Sequence, residues 1–291
     1  MLVLDGKIAS AAMKLALKAE VDQLLANGHR KPHLAAILVG NNGASETYVA
    51  SKVKNCEEVG FSSTLIRLAD NCTESVLLNT ITDLNKDSQI DGILVQLPLP
   101  KHISEQKVIE TISPLKDVDG FHPVNVGKLV QGLTTFIPAT PYGIMLMLAH
   151  YNIETKGKHA VVIGRSNIVG RPMSILLSSN HPQGNCTVTI CHSHTKDLKN
   201  ICMSADIIVA ALGIPGFVNA DMVKQGAVII DVGITRVEDK SAAKGFRIKG
   251  DVDYTAVAAK AAAMTPVPGG VGLMTIAGLL KNTLQAYKQH L

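Results

Sequence analysis

Apolar positions along this chain follow two rhythms in turn. Ile8, Met13, Leu15, Leu17, Val21, Leu24 and Leu25 recur among Lys, Glu and Gln at helical spacing, and Gly28 stops the pattern, so a helix is predicted over 7–27. The segment 33–40 is a short continuous apolar run ended by glycine, which is the pattern of a buried strand. A polar turn (Asn41-Asn42-Gly43), an amphipathic helix over 45–58, a strand near 63–68 and a helix around 73–85 lead to another buried strand over 91–98. From Pro98 to Pro141 the chain is rich in Pro, Gly and Asp and reads as loop. A second series follows, with strands at 161–164, 187–191, 206–212 and 227–232 and helices near 170–180, 196–203 and 219–225. A Pro/Gly loop over 265–272 then precedes an apolar helix from about Met274 to Tyr287. Strands alternating with helices imply mostly parallel sheets and an α/β fold.

Composition narrows the class. The 291 residues suffice for two domains with substantial cores, and 46% hydrophobic against 18% charged residues is a globular balance. The net charge of +4 is spread along the chain, and there is no Trp, so neither a basic face nor an aromatic platform for nucleic acid is expected. Five cysteines form no Cys-x-x-Cys pair, which reads as reduced thiols rather than a disulfide framework. Asp5, Lys7 and Lys14 interrupt the N-terminal segment, so it does not read as a signal peptide, and no apolar run approaches the ~20 residues of a membrane span. A cytoplasmic protein without membrane partners is expected.

The chemistry begins at Ala160-Val161-Val162-Ile163-Gly164-Arg165-Ser166-Asn167-Ile168-Val169-Gly170. A β-branched run ends in a glycine turn and Pro172 opens a helix, the arrangement that places a nucleotide phosphate on a helix N-terminus. Gly164 permits the tight turn, Ser166 adds a hydroxyl, and a hydrolase elbow is excluded because Ile168 stands where that motif needs glycine. After the next strand, an NAD site would carry an acid for the ribose hydroxyl. Here Cys191-His192-Ser193-His194-Thr195-Lys196 has none, and Arg165 is available for a 2′-phosphate, so NADP is favoured. A metal on Cys191, His192 and His194 is not expected, because alternate strand residues face opposite ways and carboxylate partners are missing.

In the first half, Tyr48 and Lys52 stand four apart on one predicted helix face. Short-chain dehydrogenases use a Tyr-x-x-x-Lys pair, but after their glycine turn, whereas here the pair comes first. Gln96 ends a buried strand, where open sheets bind ligands, and can hydrogen-bond a nearby lysine. Asp117 and Asp119 lie in a Gly/Pro-rich loop rather than on a charged helix face. A lysine among such groups acts near neutral pH if burial lowers its pKa.

Six ordered segments, among them Tyr48–Lys52, Gly92–Pro100, Lys116–Pro123, Pro138–Pro141, Val162–Gly170 and Thr265–Gly272, closely resemble the methylenetetrahydrofolate dehydrogenase/methenyltetrahydrofolate cyclohydrolase family. The likeness covers essentially the whole chain. It implies a folate-binding catalytic domain over 1–139, with helix 274–291 packed back on it, and a Rossmann-like NADP-binding domain over 140–273, with a substrate cleft between them. It implies NADP-dependent oxidation of 5,10-methylenetetrahydrofolate, then hydrolysis to 10-formyltetrahydrofolate. By position, Lys52 matches the lysine of the hydrolytic step, Gln96 the group that orients it, Tyr48 the ring packed on folate and Asp119 the carboxylate that grips the pterin. Val95, Leu97, Pro268, Gly269 and Gly270 match substrate-lining positions. Gly164, Arg165, Ser166, Ser193, Ile234 and Thr140 match cofactor positions. A homodimer is implied, with tetrahydrofolate derivatives as small-molecule partners.

Three departures stand out. Leu273 replaces a usual proline, which would loosen that loop and favour an alternative dehydrogenase with weak hydrolysis. His194 replaces a usual Arg or Lys, and the loop 180–185 looks extended. A non-catalytic binding protein is the contrasting reading, and the joint presence of Lys52, Gln96 and Asp119 speaks against it.

Overall fold

The computed structural model describes residues 1–239, 241 and 245–291. The first half runs β1 (Leu2–Val3), α1 (Gly6–Ala26), β2 (His33–Val39), α2 (Gly43–Glu58), β3 (Ser62–Leu68), α3 (Glu74–Lys86), β4 (Gly92–Val95), α4 (Glu105–Thr111) and α5 (Pro123–Val130). Then come α6 (Ala139–His150), β5 (His159–Ile163), α7 (Gly170–Ser178), β6 (Thr187–Cys191), α8 (Leu198–Met203), β7 (Ile207–Ala210) and β8 (Val228–Asp231). The hairpin β9 (Thr235–Glu238) and β10 (Phe246–Lys249), α9 (Tyr254–Ala258), β11 (Ala263–Met264) and α10 (Val271–Lys288) follow. The chain folds as two compact units, one of Ala11–Ala139 with Ile276–Leu291, the other of Met1–Ser10 with Thr140–Thr275.

In the unit of Ala11–Ala139, a three-stranded parallel sheet has the order β3-β2-β4. From Leu34 to Val39 its central strand is apolar because it is covered on both faces. Leu34, Ala36 and Leu38 face a core shared with Val49 and Cys56 of α2 and with Leu279, Leu280, Leu284 and Tyr287 of α10. Ala35 and Ile37 face the opposite core, with Leu77 and Ile81 of α3 and Val108 and Ile112 near α4. Arg30 grips the fully buried Asp91 with two 2.7 Å bonds and stands 5.0 Å over the Tyr287 ring, tying α10 to the sheet's edge. The expected loop 98–141 holds two helices and the start of a third. Ser104 accepts from Lys107 N to start α4, and His122 Nδ1 accepts from Val124 N with Pro123 in the first turn of α5. A serine cap and a proline read as a loop signal therefore begin short helices.

In the unit of Thr140–Thr275, a six-stranded parallel sheet has the order β1-β11-β8-β7-β5-β6. The strands β6-β5-β7-β8 have the 2-1-3-4 order of a doubly wound fold, with its switch point between β5 and β7. Val161, Ile163, Ile208, Ala210 and Ile229 pack one core with Cys191 and Cys202. Residues 1–10, expected with the first domain, belong here. Leu2 N donates to Ala262 O at 2.7 Å and Leu4 N to Met264 O at 2.9 Å, which adds β1 to this sheet.

Candidate active site

In the unit of Ala11–Ala139, Tyr48, Lys52 and Cys56 follow one another at helical i, i+4 spacing on α2. Lys52 is only 5% exposed. Its Nζ donates to Gln96 Oε1 at 3.1 Å and lies 4.9 Å from the centre of the Tyr48 ring. Gln96 is placed by the sheet, since its N–H donates to Ile37 O and continues the pairing of β4 with β2. Its amide is fixed in turn, because Nε2 donates to Leu97 O at 2.7 Å, leaving Oε1 to face the lysine. Burial pushes the Lys52 ammonium below the ordinary lysine range, while the negative charge of Asp119 opposes the fall.

Asp119 is set by a loop held by polar contacts and by the fully buried Val118. Asp117, buried two residues before it, accepts from Phe121 N, His122 N and Asn125 Nδ2. Gly120 turns the chain at φ +73°, where a Cβ would stand 2.6 Å from Pro138 N. Asn282, on α10, donates to Val118 O and Ile137 O, both at 2.8 Å, and so clamps the two strands of chain that flank Asp119. The Asp119 carboxylate itself accepts no hydrogen bond among the described residues. Burial pushes its carboxyl up to about 6, against the charge of Lys52 and with that of Asp117. Val95, Leu97, Asp117, Asp119 and Phe121 line a small pocket with Val108, Ile109 and Ile112.

The unit of Thr140–Thr275 carries the glycine turn at the end of β5, at the switch point. Gly164 has φ +126°, and a Cβ there would lie 2.3 Å from Ala211 O, just beyond β7. A Cβ on Gly170 would stand 2.2 Å from Gly164 O, so the turn closes on itself only with glycine at both places. Ser166 Oγ accepts from Val169 N and Gly170 N, a capping role that leaves its hydroxyl hydrogen to donate outward. Arg165, Ser166, Asn167 and Ile168 are exposed. Ser193 and Arg165 each stand two residues beyond the paired Ile163 and Cys191, so both lie at the ends of adjacent strands. The first acid after β6 is Asp197, whose carboxylate takes both bonds of Asn200 Nδ2. This close-packed turn, its exposed arginine and the acid-free strand end fit a phosphorylated dinucleotide.

The remaining expected positions are dispersed over this unit. Thr140 Oγ1 meets Thr275 Oγ1 at 3.1 Å. Ile234 is exposed after β8, and a Cβ on Gly272 would approach its Cδ1 to 3.2 Å. Pro268, Gly269 and Gly270 form the loop before α10, where Gly269 O accepts from Gly6 N. Leu273 N donates to Gly270 O, a bond proline cannot make, so the departure there ties the loop rather than loosening it.

Several residues that organise these sites carry no local signal. Asn282 is one, and the buried Asp231 and Asp251 are two more. Burial pushes the Asp231 carboxyl up to about 6, although three backbone N–H groups donate to it. Cys191 is buried in the sheet's core, and burial pushes the Cys56 and Cys202 thiols up to about 12. Among the described residues, no group of three His, Cys, Asp or Glu is placed to hold a metal ion, and no helix is long and apolar enough to cross a membrane.

A glycine turn at the switch point of a doubly wound sheet, and a buried lysine held by an amide in a separate unit, define a two-unit dinucleotide-dependent enzyme. The chain belongs to the tetrahydrofolate dehydrogenase/cyclohydrolase family, with residues 4–119 matching its catalytic domain and residues 138–291 its NAD(P)-binding domain. It is 60% identical to the bifunctional protein FolD of Flavobacterium johnsoniae over 99% of this chain and 98% of that one. Among solved structures, the FolD methylenetetrahydrofolate dehydrogenase/cyclohydrolase of Campylobacter jejuni is 49% identical, with a TM-score of 0.93 and all of both chains covered. The Trypanosoma brucei enzyme, solved with NADP and an inhibitor, is 38% identical with a TM-score of 0.94, covering 100% of this chain and 98% of that one.

Proposed function

We propose that this chain oxidises 5,10-methylenetetrahydrofolate to the 5,10-methenyl cation with NADP, and then hydrolyses that cation to 10-formyltetrahydrofolate. Family membership supports the reaction pair, and the observation that carries the hydrolytic half is the buried Lys52 held on Gln96 Oε1. Bound NADP⁺ supplies the acceptor for the hydride leaving the methylene carbon. Because the product cation is stabilised by its flanking nitrogens, that step needs alignment more than acid or base.

Hydration of the cation does need a base. Water adds to the methenyl carbon and loses one proton to give a neutral carbinolamine. The carbon–nitrogen bond to N5 then breaks as N5 is protonated and the adduct's hydroxyl releases its remaining proton to solvent, forming the formyl C=O. Lys52, kept by burial below the ordinary lysine range, takes the proton as the neutral amine and returns it to nitrogen as the ammonium. Gln96 accepts from the lysine and so fixes which way its lone pair faces. The Tyr48 ring offers a flat face to the folate ring system, and the Asp119 carboxylate, which accepts no hydrogen bond among the described residues, grips the pterin's donors. Val95 and Leu97 form apolar wall beside it.

In the other unit, Gly164, Arg165, Ser166 and Ser193 take the cofactor's phosphates, with Thr140 and Ile234 as further lining positions. By their match to the family, Pro268, Gly269 and Gly270 are read as substrate-lining positions. A homodimer in the cytoplasm belongs to the same reading, and light scattering of the purified chain measures the dimer. The alternative of weak hydrolysis rested on Leu273 or the extended loop 180–185 misplacing the folate, and the bond from Leu273 N to Gly270 O speaks against the first of these. A coupled assay with methylenetetrahydrofolate and either NADP or NAD, following methenyl formation and decay separately, tests the proposal. Both phases are expected with NADP, and absence of methenyl formation with either cofactor would contradict it.

A further inference from the structure

Two buried carboxylates stand behind the C-terminal ends of β7 and β8. Asp251 is fully buried, and its Oδ2 accepts from Leu212 N at 2.6 Å and Gly213 N at 2.9 Å, the two residues at the tip of the loop after β7. Asp231, the last residue of β8, accepts on Oδ1 from Gly233 N at 2.9 Å and from Asp251 N at 2.8 Å, and on Oδ2 from Val252 N at 3.0 Å. Thr265 Oγ1 accepts from Asp231 N at 2.8 Å and anchors the pair to β11's end. One network therefore fixes both the β7 and the β8 loop tips.

The surroundings admit nothing larger. A Cβ on Gly250 would fall 1.9 Å from Asp231 Oδ2, and one on Gly233 would fall 2.4 Å from both Asp251 N and Asp251 Oδ1. Asp251 Oδ1 is buried and has no hydrogen-bond partner among the described residues. Apolar side chains of similar volume often stabilise a fold more than a buried charge does. Two carboxylates that bind five backbone N–H groups, three of them at the loop tips, are better explained by what those tips must hold.

The sheet order says which half of a dinucleotide that is. Arg165 and Ser193, the groups suited to a 2′-phosphate, stand at the ends of β5 and β6, whereas the braced loops lie across the switch point at β7 and β8. Ala211 O, immediately before the braced tip, is the atom against which Gly164 closes, and Ile234 follows the braced Gly233. We infer that Asp251 and Asp231 are positioning residues for the nicotinamide half of the cofactor. They hold the β7 and β8 loop tips in place and leave recognition of the adenosine 2′-phosphate half to the β5 and β6 ends. This rests on the reading that the unit binds NADP.

The test is calorimetric binding of NADP and of 2′,5′-ADP, which lacks the nicotinamide half, to the full chain and to Asp251→Ala. NADP affinity should fall about tenfold as two charge-assisted bonds are lost, with 2′,5′-ADP affinity within about twofold of wild type. Gly233→Ala, which keeps the carboxylates but forces the tip aside, should give the same split. Asp251→Asn, which keeps an acceptor for Leu212 N and Gly213 N, should recover part of the NADP affinity. Equal losses for both ligands in the folded variants would reduce the pair to general support and overturn the inference, as would unchanged NADP binding. Failure of the wild-type chain to bind either ligand would instead refute the NADP reading itself.

Discussion

Replacing Gln96 by Glu tests how the lysine is tuned. The substitution keeps the shape of the side chain and puts a negative charge where Oε1 now stands, 3.1 Å from Lys52 Nζ. At that distance an ion pair amounts to about 5 kcal/mol with an effective dielectric of about 20. Burying the new carboxylate offsets much of this, and an adjacent opposite charge commonly moves a titration by about 1–3 pH units in favour of the charged form. The ammonium is the form favoured, so the acidic limb of the hydrolytic pH–rate profile should move upward. Along that limb each pH unit is a tenfold change in neutral amine, which gives a loss of about 10- to 1000-fold at fixed pH. The assay is single-turnover decay of the methenyl compound across pH, with NADP binding as a control on folding. An unshifted limb with hydrolysis intact would refute the claim that Lys52 acts as a neutral base set by Gln96.

Three further substitutions probe the rest of the account. Arg165→Ala should raise the NADP KM by about 10- to 100-fold, the size of a lost charge-assisted contact, and the NAD KM far less; equal effects on both would remove its role at a 2′-phosphate. Asn282→Ala withdraws donors from Val118 O and Ile137 O and should destabilise the protein by about 2–4 kcal/mol, seen as a lower urea midpoint at constant slope. A wild-type midpoint would show that the clamp contributes little. Asp119→Asn should weaken folate binding yet stabilise the fold by about 1–3 kcal/mol at pH 7–8. The wild-type carboxyl, raised to about 6, favours folding when protonated; that contribution is full below the unfolded pKa and is lost as pH rises through about 6. The stability gap between variant and wild type should therefore close by about pH 4, and a gap independent of pH would contradict the assignment.

What could be read from the sequence depended on how local the cause was. β2 is plain because both its faces are buried, so the six residues from Leu34 to Val39 run apolar without interruption. Lys52 and Gln96 were legible as partners, since one lies on a helix face with Tyr48 and the other at a strand's C-terminal end. The helices α4 and α5 were not, because Ser104 and the His122-Pro123 pair that start them carry the same residues as turns. Residues 1–10 gave no hint of joining the second unit, as β1 is two residues long and pairs with a strand some 260 positions away. Asn282, Asp231 and Asp251 act through backbone groups distant in sequence, and no periodicity or motif marks such a contact in advance. The glycine turn at 164–170 was visible in outline, but Ser166 proved to cap the following helix as well as face outward.

The central claim is that one lysine serves the hydrolytic step and not the transfer of hydride. Its most direct test is Lys52→Met, followed in a single turnover with methylenetetrahydrofolate and NADP while NADPH and the methenyl compound are recorded together. NADPH should still form, with the methenyl compound accumulating and decaying no faster than in buffer. Decay at the wild-type rate would contradict the account.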